Sequence, residues 1–348
     1  METHGGPDVR WCRAPPTGGI ASRRSLLHMG ATTRPESPRL AAPPPPQVEQ
    51  AAIRTVAYAD VFDYPLHALD VHRYLHGTAA TAEATEAALA TCSALGGALS
   101  CRDGFYTLRG RERLVAVRGH RAARAHRLWP AALTYGRLIA GLPFVRMVAV
   151  TGSLAWHNVD DKGDIDYLIV TEPGRLWVCR WLIAALARVA LLDGVYLCVN
   201  YVISTRALAL ADRNLYTAYE LARMTPIAGL GMYRRLRRAN PWVEAYLPNA
   251  ATSPPHAPQR DAPRPPCRRN AGLARLARLT RRLLGSPLGA VLERWEMRYR
   301  IRKRAKLGNE AGEAAYGVDW YKCHVRGHAQ RTLAAFAERV RALEAGAL

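Results

Sequence analysis

Apolar residues recur along the chain with two periods, and the switches between them mark out its elements. Spacing of three to four residues predicts helices over Glu49–Ala59, Leu66–Leu75 and Ala82–Leu95. Two short β-type segments follow, Gly97–Cys101 and Phe105–Leu108, joined by Arg102-Asp103-Gly104, and Asp-Gly between such runs is a hairpin signal. Met147–Val150 and Tyr167–Val170 are apolar runs of strand length. Pro173–Leu192 carries Trp177, Trp181, Ile183, Leu186 and Val189 on one helical face, and Val195–Ser204 reads as a further strand. Helices are predicted again over Asp212–Met224 and Gly229–Ala239, before a break at Asn240-Pro241-Trp242. The longest apolar stretch, Leu182–Ile203, is interrupted by Arg188, Asp193, Gly194 and Asn200, so it predicts a buried helix and strand and not a membrane span. The mixture is an α/β (α+β) pattern.

Composition divides the chain further. Residues 1–47 are rich in Pro, Gly and Arg and lack a sustained apolar period, which predicts a disordered leader, with Met29 an alternative start. Ser22-Arg23-Arg24-Ser25-Leu26-Leu27 looks like the start of an export signal, but Arg34, Glu36, Arg39 and a proline run replace the apolar stretch that export needs. Proline clusters again over 249–270, a linker pattern. The expected units are therefore 48–110, 111–248 and a basic helical region 271–348.

Three helices and a hairpin in residues 48–110 resemble a winged helix, a form common among DNA-binding modules. The helix that would enter a groove carries Thr81, Glu83, Thr85 and Glu86 as its expected exposed positions, with no Arg or Lys. A reader of DNA needs cations near phosphate. Packing or protein contact is the favoured role, with weak nonspecific nucleic-acid binding the alternative.

Chemistry concentrates in Met147–Thr171. The first apolar run ends in Thr151-Gly152-Ser153, and ten residues after Ser153 come Asp164-Ile165-Asp166, which open the second. Alternate residues of a strand face the same way, so Asp164 and Asp166 share a side opposite Ile165 and Tyr167. Two carboxylates so placed repel each other unless a cation offsets them, and a hard ion such as Mg²⁺ takes carboxylates together with substrate phosphate oxygens. Gly152 permits close approach of backbone to phosphate, and Ser153 with the N–H groups at a helix start binds it.

Gly-Ser, about ten residues, then Asp-x-Asp with x apolar resembles the signature of the polymerase-β-like nucleotidyltransferase superfamily. The resemblance covers roughly residues 130–225. It implies a mixed sheet with flanking helices, an NTP held by Gly152 and Ser153, Mg²⁺ on Asp164 and Asp166, and an acceptor that the sequence does not identify. The family usually adds a third carboxylate on the next strand, which activates the acceptor hydroxyl. Here Asn200 is read at that position, and an amide cannot take a proton at neutral pH. Two functions follow: a nucleotidyltransferase, or a winged-helix regulator whose transferase-like part senses nucleotides without turnover.

Charge and cysteine usage complete the picture. The net charge of +21 includes +9 within residues 271–306 and +6 within 102–127, which favours phosphate-bearing partners. The first segment divides at Gly285-Ser286-Pro287 into two amphipathic helices. Arg175, Arg180 and Arg188 are placed to reach nucleotide phosphates, as are Lys322 and His324; Cys323, His324 and His328 form a weak zinc pattern without a fourth ligand. Seven cysteines without regular spacing suit a reduced, cytoplasmic protein with no membrane partner.

Overall fold

The computed structural model describes residues 45–161, 163–252, 279–305, 316–322 and 327–346. Residues 1–44 and 253–278, on which most of the expected leader and linker fall, lie outside them, while Pro46–Gln47 and 249–252 belong to helices. Helix α1 (Pro46–Asp60) starts on a proline, whose missing N–H has no partner to lose in a first turn. Then come β1 (Leu66–His67), α2 (Ala68–Arg73), α3 (Ala82–Ser93), β2 (Leu99–Arg102) and β3 (Phe105–Leu108). Asp103 (φ 53°) and Gly104 (φ 76°) are both left-handed, as the two-residue turn between Arg102 and Phe105 requires.

The strands form an antiparallel sheet in the order β1-β3-β2. The predicted helix Leu66–Leu75 loses its first residues to that sheet, because Leu66 and His67 pair with Tyr106 and Phe105. Thr85, expected on the exposed face of α3, is buried; its hydroxyl donates to the Thr81 carbonyl at 2.9 Å, which lets a polar side chain face inward.

Helix α4 (Leu114–Ala140) follows, unpredicted, because its first half is a run of arginines and Pro130 lies inside it. A second sheet is built from β4 (Val145–Thr151), β5 (Ile165–Thr171), β6 (Leu197–Ser204), β7 (Thr225–Ala228) and β8 (Trp320–Lys322), in the order β7-β4-β5-β6-β8. Only β5 and β6 run parallel, and a crossover helix, α6 (Leu176–Leu192), joins them. The short α5 (Gly152–Ala155) lies between β4 and β5. Helices α7 (Leu215–Arg223), α8 (Leu230–Arg238), α9 (Val243–Tyr246), α10 (Pro248–Thr252), α11 (Pro287–Ala305) and α12 (His328–Glu344) complete the order, and residues 279–285 are helical as well.

Helix starts moved where side chains took over capping. Helix α7 begins after Asn214, whose side chain accepts the Thr217 N–H at 2.9 Å. Helix α6 begins at Leu176 and not at Pro173: the carboxylate of Glu293 in α11 accepts the N–H groups of Trp177 (2.9 Å) and Val178 (2.7 Å). One turn away, buried Arg180 pairs with Glu296 at 2.7 Å.

Strand alternation separates two cores. Val148, Val150, Tyr167 and Ile169 join α4 and α6 on one face; Met147, Ala149, Leu168 and Val170 join α7 and α8 on the other. The second core also contains the interior of the N-terminal helices, so residues 48–110 and 111–248 share one hydrophobic interior. Tyr58 stacks on Tyr219 with ring centroids 4.2 Å apart, and Trp156 stacks on Tyr219 at 5.3 Å. Buried Arg223 lies 3.8 Å above Trp156, 4.4 Å from Tyr74 and 5.3 Å from Tyr64. Its Nε and Nη1 lack hydrogen-bond partners, and the ring faces offset the buried charge. Arg339 of α12 and Arg111 donate to buried Asp60 at the end of α1, at 2.7 and 3.0 Å. No helix among the described residues is long and apolar enough to cross a membrane.

Candidate functional site

The site lies where β4 ends, on the sheet face shared with the N-terminal helices. Gly152 turns the chain into α5 with a left-handed φ of 61°. A Cβ there would stand 2.2 Å from Oδ2 of Asp166, so glycine is required both for the turn and for the closeness of the carboxylate. Asp164 precedes β5, and Asp166 sits within it on the face of Leu168 and Val170. Across the ladder, Asp166 pairs with Thr151 on β4 and Cys198 on β6.

Asp164, Asp166 and Cys198 each present a ligand atom, all within 4.8 Å of one another. Burial, then the charge of Asp164, holds the Asp166 carboxyl well above the ordinary aspartate range, while a hydrogen bond from Cys198 pulls the other way. Burial also raises Asp164. Such a pair is relieved by a cation, with the carboxylate oxygens and the Cys198 sulfur as the donors in reach.

Asn200 borders the same cavity, and its buried Oδ1 has no partner. One extra residue of β6 is accommodated between the pairs Asp166↔Cys198 and Leu168↔Tyr201. Cys198 and Asn200, two positions apart, both line the cavity, and only Asn200 is expected there from the sequence. Ser153, on the first turn of α5, lies on the wall beside Gly152. The cavity is about 520 Å³, within the range of small-molecule sites. Tyr58 of α1, Phe62 in the turn after it, Trp156, Tyr216 and His328 also line it.

Glu220 of α7, absent from the sequence reading, also lines this cavity. Burial pushes its carboxyl up to about 7, against the lowering effects of a hydrogen bond from the Gly152 N–H and the nearby Arg223 charge. Arg121 of α4 is a second addition: it donates to the Phe62 carbonyl at 3.0 Å and to Asn158 Oδ1 at 3.3 Å on the cavity rim.

The expected phosphate-binding arginines are elsewhere. Arg180 is held by Glu296, Arg175 donates to the Gly285 carbonyl at 3.1 Å, and Arg188 bonds within its own helix. Asp193 caps α6 and accepts the Tyr135 hydroxyl at 2.5 Å, away from the cavity. Lys322 pairs with Asp212 at 2.6 Å. Cys323 and His324 lie outside the described residues, and His328 reaches the cavity wall. Comparison with protein families, curated proteins and solved structures finds no match. The functional reading therefore rests on these residues and their geometry.

Proposed function

We propose that the protein is a divalent-cation-dependent nucleotidyltransferase that moves a nucleoside monophosphate from an NTP to an acceptor hydroxyl. The contact of Gly152 with Asp166 carries this reading, because it joins the Gly-Ser turn and the paired carboxylates into one wall of a cavity of suitable size. The antiparallel β4–β5 pair around that turn supports a nucleotidyltransferase-type sheet, and the order of α1–α3 and β1–β3 supports a winged-helix-like unit in residues 48–110.

In this reading Asp164 and Asp166 hold the divalent cation, which when bound neutralises charge on the triphosphate. Gly152 and Ser153 position the phosphates, and the aromatic wall gives the base and sugar an apolar surface. The acceptor oxygen forms a bond to the α-phosphorus, the bond from that phosphorus to the α–β bridging oxygen breaks, and pyrophosphate leaves. Glu220 is the group suited to receive the acceptor proton, since its pKa near 7 matches the task and Asn200 cannot perform it.

A second reading, a nucleotide sensor without turnover, is favoured by Cys198 and Asn200 on the strand where a carboxylate is expected. Incubation with each labelled NTP and a divalent cation, followed for pyrophosphate release and self-labelling, separates them. Release supports the transferase. Calorimetric binding without release supports the sensor, and neither binding nor release removes both.

A further inference from the structure

The Asp pair does not stand alone: the third donor in reach is sulfur. On a hard-ion site the surrounding donors are oxygens, and a thiolate contributes little to Mg²⁺. Here the parallel ladder fixes Cys198 directly beside Asp166, through the successive pairs Ile165↔Leu197 and Asp166↔Cys198. Its sulfur and one oxygen from each aspartate all lie within 4.8 Å of one another, a spread that a single ion can span. Asn200, two residues further on, lines the same cavity, 5% exposed, with an Oδ1 that no protein group satisfies. A buried amide oxygen left without a partner is costly unless something binds it. The other described cysteines are remote from this arrangement: Cys92 and Cys179 are buried among apolar side chains, and Cys101 lies on the exposed hairpin.

We propose that Asp164, Asp166 and Cys198 form a mixed carboxylate–thiolate site that takes a borderline transition-metal dication, Co²⁺ or Zn²⁺, in preference to Mg²⁺, with Asn200 Oδ1 as a further oxygen donor. The proposal rests on the reading of the two aspartates as cation ligands and adds the identity of the ion. Thiolate coordination raises affinity along the first-row series, and removing the sulfur should flatten that rise.

The test is titration of the full-length protein with Co²⁺ and with Mg²⁺, followed by absorbance and calorimetry, on the wild type, Cys198→Ser and Cys198→Asp. The wild type should develop a thiolate-to-cobalt charge-transfer band, and both variants should lose the part of it that saturates first. Cys198→Ser should weaken Co²⁺ at least tenfold while changing Mg²⁺ little, and Cys198→Asp should shift the preference toward Mg²⁺. Both ions binding the wild type without a band, or a Co²⁺/Mg²⁺ preference unchanged in Cys198→Ser, overturns the proposal and leaves the carboxylate site standing. Binding of neither ion removes the carboxylate site as well.

Discussion

Ionising Asp166 beside Asp164 in a half-closed cavity costs free energy that the metal-free protein cannot recover, and the sign of that cost is testable. The folded-state pKa of Asp166 lies above its ordinary value, so the folded protein keeps a proton that the unfolded chain has released. Stability of the metal-free protein is therefore lost as pH rises from the ordinary aspartate range through the raised value. Asp166→Asn removes the loss: we expect its metal-free melting temperature to exceed that of the wild type at pH 8 by about 2–4 °C, with the gap closing toward pH 4. Calorimetry of the same variant should show cation affinity reduced more than tenfold. Glu220 bears on rate. With its carboxyl pushed up to about 7, the rate of pyrophosphate release should rise with pH through that value. Glu220→Gln should be flat over the same interval and lower by about 10²–10⁴-fold, measured at saturating NTP. The carboxylates of the Asp-x-Asp motif were legible because strand parity relates residues only two positions apart. Cys198 shares the parity of Asn200 but was passed over, and Glu220 was hidden because 54 residues separate it from Asp166 and only tertiary packing unites them.

Helix positions were mostly legible and their starts were not, since the deciding groups are distant. The start of α6 depends on a carboxylate 116 residues away that accepts the Trp177 N–H, and nothing in Pro173–Leu192 announces it. Glu293→Ala leaves two buried N–H groups without acceptors, a loss of about 2–3 kcal/mol. It should lower the melting temperature by several degrees while leaving cation affinity unchanged, because α6 and α11 lie on the sheet face opposite the site. A scanning-calorimetry trace and one cation titration check both halves of this expectation. Helix α4 escaped the sequence reading for a different reason: its buried positions Ala125, Trp129, Ala132, Tyr135 and Ile139 are spaced correctly, but arginines and Pro130 between them mask the period. The Asp-Gly hairpin was the reverse case, where turn geometry is written in two residues.

At the scale of the whole molecule, the N-terminal helices and the larger sheet share one interior, which the proline-poor boundary near residue 110 did not reveal. Residues 48–110 expressed alone should show weak, noncooperative melting by circular dichroism, because Tyr58 and Tyr74 would lose Tyr219, Trp156 and Arg223. Nucleic-acid binding by the full chain should be weak, sequence-independent and steeply reduced by salt. Its exposed arginines on α11, Arg294, Arg298 and Arg302, offer charge without base-reading groups, and gel shifts at two salt concentrations test this. The ion pair between Asp60 and Arg339 spans 279 positions of the chain. During synthesis, residues 46–252 emerge from the ribosome well before α12, yet His328 of α12 lines the cavity. A chain that has emerged only as far as residue 252 holds its aspartates, cysteine and Gly-Ser turn but lacks His328 in the cavity lining and the Arg339 partner of Asp60, both of which arrive with α12.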